Sequence, residues 1–450
     1  MRSAVSAMAV ASLALQAGGI CQEPAAAAGQ TLTLERAVHL ALESNRLIKS
    51  ADLELRKFED RLAATRTKRL PAIDWYVLGS QRLTALDFLF PKGAFGVYPG
   101  VGPIPAANTA IRAPLQPAAL LIGKVDQPLS QQYQIGLGLG QLKVGQEIAR
   151  EQERLKRQTV VSDVKSAYYQ ILQTQSALES AEESIRLYRE LDRLTEQYVS
   201  QQVALKSESL EVKTRLAKAE YDALTLRNPL ATQQEHLNSL MGRDLATEFS
   251  VSPVPEASSN ETDLAAARRL AIERRPEVRQ ASLKVRQAEY DRRIKKAEYI
   301  PSLSLNFTYF SPVNYGGIVP SNIASVGLLL DWEPFDWGRK RHELAEKSKS
   351  VEEATLALKE TEDQIAIEVG NKFRKLQETR QLLVIGRLAQ ETARENLRVA
   401  QNRYSEQASL LKEVLQVQTA LAQADNQYQQ ALLSFWTAKA DFERALGEEE

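Results

Sequence analysis

From Arg339 to Tyr404 the apolar positions keep a helical period. Leu344, Val351, Leu358 and Ile365 recur at every seventh residue, and Val369, Leu376, Leu383, Leu397 and Tyr404 hold a second register of the same spacing, with Gln390 as its one polar gap. Such spacing lays an apolar seam along one helix face and winds it against partners. No proline interrupts the run, so it predicts a single helix roughly 100 Å long at ~1.5 Å per residue. A short turn and a returning arm complete a helical hairpin over 339–446. A second hairpin is predicted over 142–241, broken near Ser200–Ala204. Asn228-Pro229 falls in its returning arm and predicts a kink.

Elsewhere the period drops to two, the signature of strands. Ile73, Trp75 and Val77 alternate in 72–80, Ile135, Leu137 and Leu139 in 133–141, Leu303, Leu305 and Phe307 in 302–310, and Val326, Leu328 and Leu330 in 324–332. The positions between are largely small or polar: Gly136, Gly138, Ser302, Ser304, Asn306, Ser325 and Gly327. Residues 91–128, rich in Pro, Gly and Ala, read as a long loop.

The pattern occurs twice. Leu34, Ala37, Leu40, Ala41, Glu43 and Pro71 recur at one constant offset as Leu264, Ala267, Leu270, Ala271, Glu273 and Pro301. At a shorter offset Leu205, Leu210, Val212, Leu216 and Gly242 recur as Leu410, Leu415, Val417, Leu421 and Gly447. The longer first loop accounts for the difference. The fold class is therefore mainly α with a small β part: long antiparallel coiled-coil hairpins plus four β-strands, in two structural repeats. The repeats occupy 29–250 and 263–447, joined by a linker over 251–262.

Residues 1–28 are of another kind. Arg2 is the only charge before an Ala-rich apolar run, and Ala26-Ala27-Ala28 offers a small-residue cleavage site, which predicts a secretory signal peptide. A lipid anchor on Cys21, the only cysteine, is the alternative; Ile20, bulky for the position before a lipidated cysteine, argues against it. Lys+Arg and Asp+Glu both number 57, for a formal net charge of +0, which removes the basic face that nucleic acid requires. His39, His236 and His342 lack ligand partners at recognisable spacing, and no phosphate loop, nucleophile elbow or metalloprotease motif occurs, so neither a metal, a cofactor nor an enzyme is expected. In an exported chain the greasy strand faces suit a membrane barrel, but four strands are too few to close one alone, so several chains must share it. Trp332, Trp337 and Tyr309 would suit its interfacial aromatic girdle. A secreted coiled-coil scaffold with a small β-sandwich is the competing reading.

Residues 32–447 resemble the TolC-like outer membrane efflux proteins. The likeness rests on LTLERAVHLALESNRLI and TDLAAARRLAIERRPEV, on RLPAIDW and YIPSLSLNF, on DWEPFDWGRK, and on ENLRVAQNRYSEQASLLKEVLQVQTALAQAD. The resemblance implies a homotrimer in the outer membrane of a Gram-negative bacterium. Three chains would build a twelve-stranded β-barrel continued by an α-helical tunnel through the periplasm. It also implies an export duct that works with a periplasmic adaptor (membrane fusion) protein and an inner-membrane pump or ABC transporter. The helix-turn tips, Gln202, Val203, Ala204, Gln407, Ala408 and Ser409, become adaptor-docking candidates. Glu208, Glu211 and Glu413 match family positions where aspartates line the periplasmic constriction, with Gln416 at the fourth; Lys206 and Lys412 are their basic neighbours. As rings in a trimer these carboxylates would attract cations; as plain helix-face carboxylates near helix N-termini they need no such role. The sequence departs from the family at Gln202 and Gln407, where the tip turn has glycine.

Overall fold

The computed structural model describes residues 31–81, 83, 84, 86–113, 115, 117–253, 263–314, 320–406 and 408–448. The predicted signal peptide with Cys21, most of the predicted linker and Gln407 lie outside them. The elements are β1 (Thr31–Leu32), α1 (Leu34–Ser44), α2 (Arg46–Thr67), β2 (Ala72–Gln81), β3 (Leu86–Phe90), β4 (Val97–Tyr98), β5 (Gly102–Pro103), β6 (Thr109–Ala113) and β7 (Pro117–Pro128). Then come α3 (Gln131–Ser200), α4 (Lys206–Leu240), β8 (Ser250–Val251), α5 (Leu264–Arg274), α6 (Pro276–Ala297), β9 (Ser302–Val313), β10 (Ile323–Asp331), α7 (Arg339–Ser405) and α8 (Leu411–Ala445).

The two long helices set the frame. At 70 and 67 residues, α3 and α7 each run about 100 Å. Shorter helices lie end to end along them. On α3, α2 packs where Phe58 meets Gly145, and α4 where Lys213 pairs Glu196 at 2.7 Å. On α7, α6 pairs Lys295 with Glu343 at 2.7 Å, and α8 pairs Asp441 with Lys372 at 2.6 Å. The seam residues Ile365, Val369, Leu397 and Tyr404 are buried. So is Gln390, the polar gap, whose amide donates to Asp425 of α8 at 2.8 Å, satisfying both groups. α4 runs through Pro229 without ending.

Internal repetition is visible in the packing. Ala37, Ala41, Ile48, Val160, Val164, Leu237 and Met241 form one core, and their counterparts Ala267, Ala271, Val278, Ile365, Val369, Phe442 and Leu446 form another. Beside the first core β1 pairs in parallel with β8, setting Leu32 opposite Val251. The Tyr168 hydroxyl lies 2.7 Å from the Leu32 carbonyl and 2.8 Å from that of Ser252, fastening both short strands to α3.

These cores lie midway along the long helices, and at one end lies a four-stranded antiparallel sheet ordered β10-β9-β7-β2. Three of its strands fall where the alternation predicts them. The second does not: residues 133–141 are the opening turns of α3, and the strand is β7, inside the stretch read as loop. The glycines explain the misreading. Gly136, Gly138 and Gly140 mimic a period-two pattern, but they lie on a helix, and Gly140 is a place of close helix approach, whereas an added Cβ on Gly138 would meet open space. A Cβ on Gly140 would lie 2.5 Å from the Tyr290 ring of α6, and one on Gly136 would lie 3.2 Å from Arg69. β7 hides for the opposite reason. Leu120-Leu121-Ile122 is apolar on both faces, so it shows no alternation. Among the described residues, the stretch between β2 and β7 also carries the hairpins β3–β6 and β4–β5.

Candidate functional site

Two regions carry the chemistry: the sheet and the hairpin tips. Directly paired residues in an antiparallel sheet share a face. The registers place Ile73, Val125, Phe307 and Val326 in one row, and Trp75, Gly123, Tyr309 and Ala324 in the next. Leu121, Leu305, Leu328 and Leu330 lie on the same face, which holds no charge. The Trp75 ring packs against Gly123, where a Cβ would sit 2.9 Å from it. Asp74, Lys124, Asp126 and Asp331, the only charged residues of the four strands, all lie on the opposite face. Asn306 donates its amide to Asp126 there, and Thr308 donates to Asn306 at 2.8 Å. A lysine at the midplane of a lipid-facing barrel wall costs about 2–4 kcal/mol. The charge-free face therefore suits lipid, and the other suits water. Within the sheet β2 and β10 are edge strands, each paired on one side among the described residues, and such edges are templates for further strands. Among those residues no helix is long and apolar enough to cross a membrane.

Of the girdle candidates, Tyr309 lies on the charge-free face. Trp332 and Trp337 follow β10, and Trp337 is 88% exposed with its ring against Phe335. Trp337 and Gly338 both take positive φ, 57° and 85°, and turn the chain from sheet into α7.

Both hairpin turns lie at the same end, since Tyr198 of α3 and Tyr404 of α7 pack edge to face at 5.9 Å. Their backbones are built alike. The Val203 amide donates to the Tyr198 carbonyl, and the Ala408 amide to that of Arg403, both at 2.8 Å, closing each long helix with the same wrap-around bond. Gln202 sits in the left-handed region at φ 61°, the position where the resemblance expects glycine. Val203 is exposed, Ala204 and Ser409 are half-buried and Ala408 is exposed.

The carboxylates differ in setting. Glu208 is half-buried in the first turn of α4, and Glu413 is exposed in the first turn of α8, where each faces a helix N-terminus. Burial pushes the Tyr404 hydroxyl above the usual tyrosine range, and the nearby Glu208 carboxylate adds to the rise. Glu211 is engaged by Arg215 at 3.2 Å, and Arg215 reaches Thr419 of α8 at 3.5 Å. Lys206 and Lys412 are exposed beside these turns. Sequence reasoning passed over Arg215 and Tyr198. Tyr404 was visible as the last seam position, but its partner across the bundle was not.

The comparisons agree with this geometry. Residues 267–448 match the family described as outer membrane efflux protein. No curated relative matches in sequence. Among solved structures, the chain is similar to the outer-membrane channel OprN, with 19% identity over 92% of this chain and 89% of that one and a TM-score of 0.73. It is similar to the CmeC outer membrane channel of Campylobacter jejuni, with 14% identity over 92% and 85% and a TM-score of 0.73. The open-state MtrE outer membrane channel of Neisseria gonorrhoeae gives 15% identity over 92% and 89%, with a TM-score of 0.70. These proteins are channels, not enzymes. The second repeat of the chain thus matches the outer membrane efflux protein family, and over nearly its whole length the chain has the fold of the TolC-like outer-membrane channels.

Proposed function

We propose that this chain is the outer-membrane channel of a tripartite efflux or type I secretion system. It is a passive homotrimeric duct from the periplasm to the exterior of a Gram-negative cell. The carrying observation is the sheet: four strands, two open edges, every charge on one face, mounted at one end of helices about 100 Å long. Three such sheets joined edge to edge hide all edges, which a membrane barrel must do.

In this reading residues 1–28 are a signal peptide, 29–250 and 263–447 are the two repeats, and 251–262 is the linker. The long helices form the periplasmic tunnel. The tips, Gln202 to Ala204 and Gln407 to Ser409, meet a periplasmic adaptor that couples to an inner-membrane pump or ABC transporter. Glu208, Glu413 and, less directly because Arg215 engages it, Glu211 form the cation-attracting periplasmic gate, with Lys206 and Lys412 offsetting their repulsion. Energy comes from the partners. Extraction of membranes in mild detergent tests the assembly: a particle with the mass of three chains is expected, and a chain that stays soluble or runs as a monomer contradicts it.

A further inference from the structure

The water-facing side of the sheet changes character along its length. Near the helices its rows are polar: Asp126 with Asn306 and Gly327, then Asp74 with Lys124, Thr308 and Ser325. Toward the outer loops the next row is Tyr76, Ile122, Phe310 and Ile323, and beyond it come Leu78, Leu120 and Pro312. Two consecutive rows on the charged face are therefore wholly apolar but for the tyrosine hydroxyl.

Pro312 is buried and Leu120, Ile122 and Phe310 are half-buried, but the rows are not closed into a core. Tyr76, Leu78 and Ile323 are 49%, 57% and 40% exposed. Nor do they belong to the lipid face, because they share a face with all four charged residues of the sheet. The boundary between the two zones is sharp. The Lys124 ammonium lies 5.7 Å from the centre of the Tyr76 ring, so the last charge of the polar zone rests against the first ring of the apolar one.

We propose that the outer half of the barrel lumen is an apolar collar, a water-poor constriction that resists hydrated ions and passes amphiphilic or largely apolar small molecules. The inference rests on the duct reading, in which three copies of each row line one closed wall. A narrow apolar stretch offers water no hydrogen-bond partners, so water leaves it readily, and an ion crossing it must shed hydration without replacement. An amphiphile loses little there, since its apolar part finds matching surface. The collar gives the outer end of the duct a barrier of its own, independent of the tips.

The test places a thiol just beneath the collar. Among residues 22–450 the sequence has no cysteine, so a Thr308→Cys reporter is read without background from that part of the chain. Intact cells are treated from outside with a sulfonated, membrane-impermeant maleimide or with a small neutral maleimide. Rates are normalised to an Ala107→Cys reporter in the outer loop. The neutral reagent should label Thr308→Cys about tenfold faster than the charged one. Adding Ile122→Thr and Phe310→Thr should remove the difference by speeding the charged reagent; threonine keeps the β preference of the strands. Ile323→Thr alone is the milder second variant and should reduce the difference in part. Equal rates through the unaltered wall overturn the collar alone, and so does a difference that survives the paired Ile122→Thr and Phe310→Thr substitutions. No labelling by either reagent in any background, with the trimer intact by mass, overturns the duct reading and the collar with it.

Discussion

Gly242 sits against the backbone of Ser44 so closely that a Cβ on it would lie 2.6 Å from the Ser44 carbonyl oxygen. It takes φ 67° just past the end of α4 and turns the chain where α4 meets the end of α1. Gly447 repeats the arrangement in the second half at φ 85°, where an added Cβ would lie 3.1 Å from the Cβ of Arg274, the counterpart of Ser44. Each returning helix is thus locked onto the first helix of its own repeat by a glycine that serves as both cap and contact.

Alanine at either glycine should destabilise the protein. The left-handed backbone alone costs a β-carbon about 1–2 kcal/mol. Gly447→Ala should lose roughly that much, and Gly242→Ala more, because its obstacle is a carbonyl that cannot rotate away. Thermal unfolding of the detergent-solubilised variants should rank them wild type, Gly447→Ala, Gly242→Ala in falling order. Equal midpoints would remove the contact argument.

Next to these glycines the repeats diverge. Asn45, buried, donates to the Leu240 carbonyl at 2.8 Å and accepts from the Leu47 amide at 2.8 Å. Its counterpart Arg275 is only 6% exposed and binds Glu277 and Glu368 instead. Burial alone would raise the Glu277 carboxyl, but the hydrogen-bonded Arg275 guanidinium outweighs it and holds it below the usual carboxylate range. A carboxylate depressed on folding contributes stability above its unfolded pKa, about 4.3, and that stability is lost as pH falls through the lower folded value. The second repeat should therefore loosen below about pH 4. Glu277→Gln should lower the midpoint at pH 7 and flatten its fall in acid. A parallel acid curve in the variant would count against this pair.

At the tips, replacing Glu208 and Glu413 together with alanine should reduce cation selectivity and block by trivalent cations in planar bilayers. Replacing Lys206 and Lys412 should raise resting conductance, since the carboxylates then repel without compensation. Unchanged selectivity and block in an intact trimer would return both glutamates to the role of solvated helix-face charges.

The outer loop gives a topology test. Residues 82–116, which include the hairpins β3–β6 and β4–β5, join β2 to β7 at the sheet end away from the helices. Barrel proteins keep their longer loops outside. A protease site inserted near Ala107 should be cut on intact cells. Cutting only after permeabilisation would reverse the orientation.

What could be read from the chain itself depended on how strongly each pattern repeats. The seam from Leu344 to Tyr404 extends over many turns, so one polar interruption at Gln390 did not obscure it. The duplication survived because paired positions such as Ala37 and Ala267 face equivalent cores. β7 was invisible because both faces of Leu120-Leu121-Ile122 are apolar, and Gly140 misled because a close-approach glycine looks the same as a strand's small face. Near the helices the face opposite the apolar one is small and polar, as the alternation reads, at Asn306 and Thr308. Toward the loops the alternation ends, and Phe310 and Ile323 occupy that face. At the tips the carboxylates could be found from the helix starts, whereas the Tyr198–Tyr404 contact needed the bundle to be folded first.

In the proposed barrel the open edge of β2 pairs with the open edge of β10 from a neighbouring chain. Within one chain these strands lie three spacings apart, about 14 Å at ~4.8 Å each. That exceeds the Cα separation of about 7 Å that a disulfide can bridge. Cysteine pairs scanned along the two edges, one at Ser80, Leu78 or Tyr76 and one at Ile323, Ser325 or Gly327, therefore report on contacts between chains. Non-reducing electrophoresis of membranes should show covalent dimers and trimers for at least one register. Monomers alone across the whole scan, from chains shown to be inserted, would contradict the shared barrel.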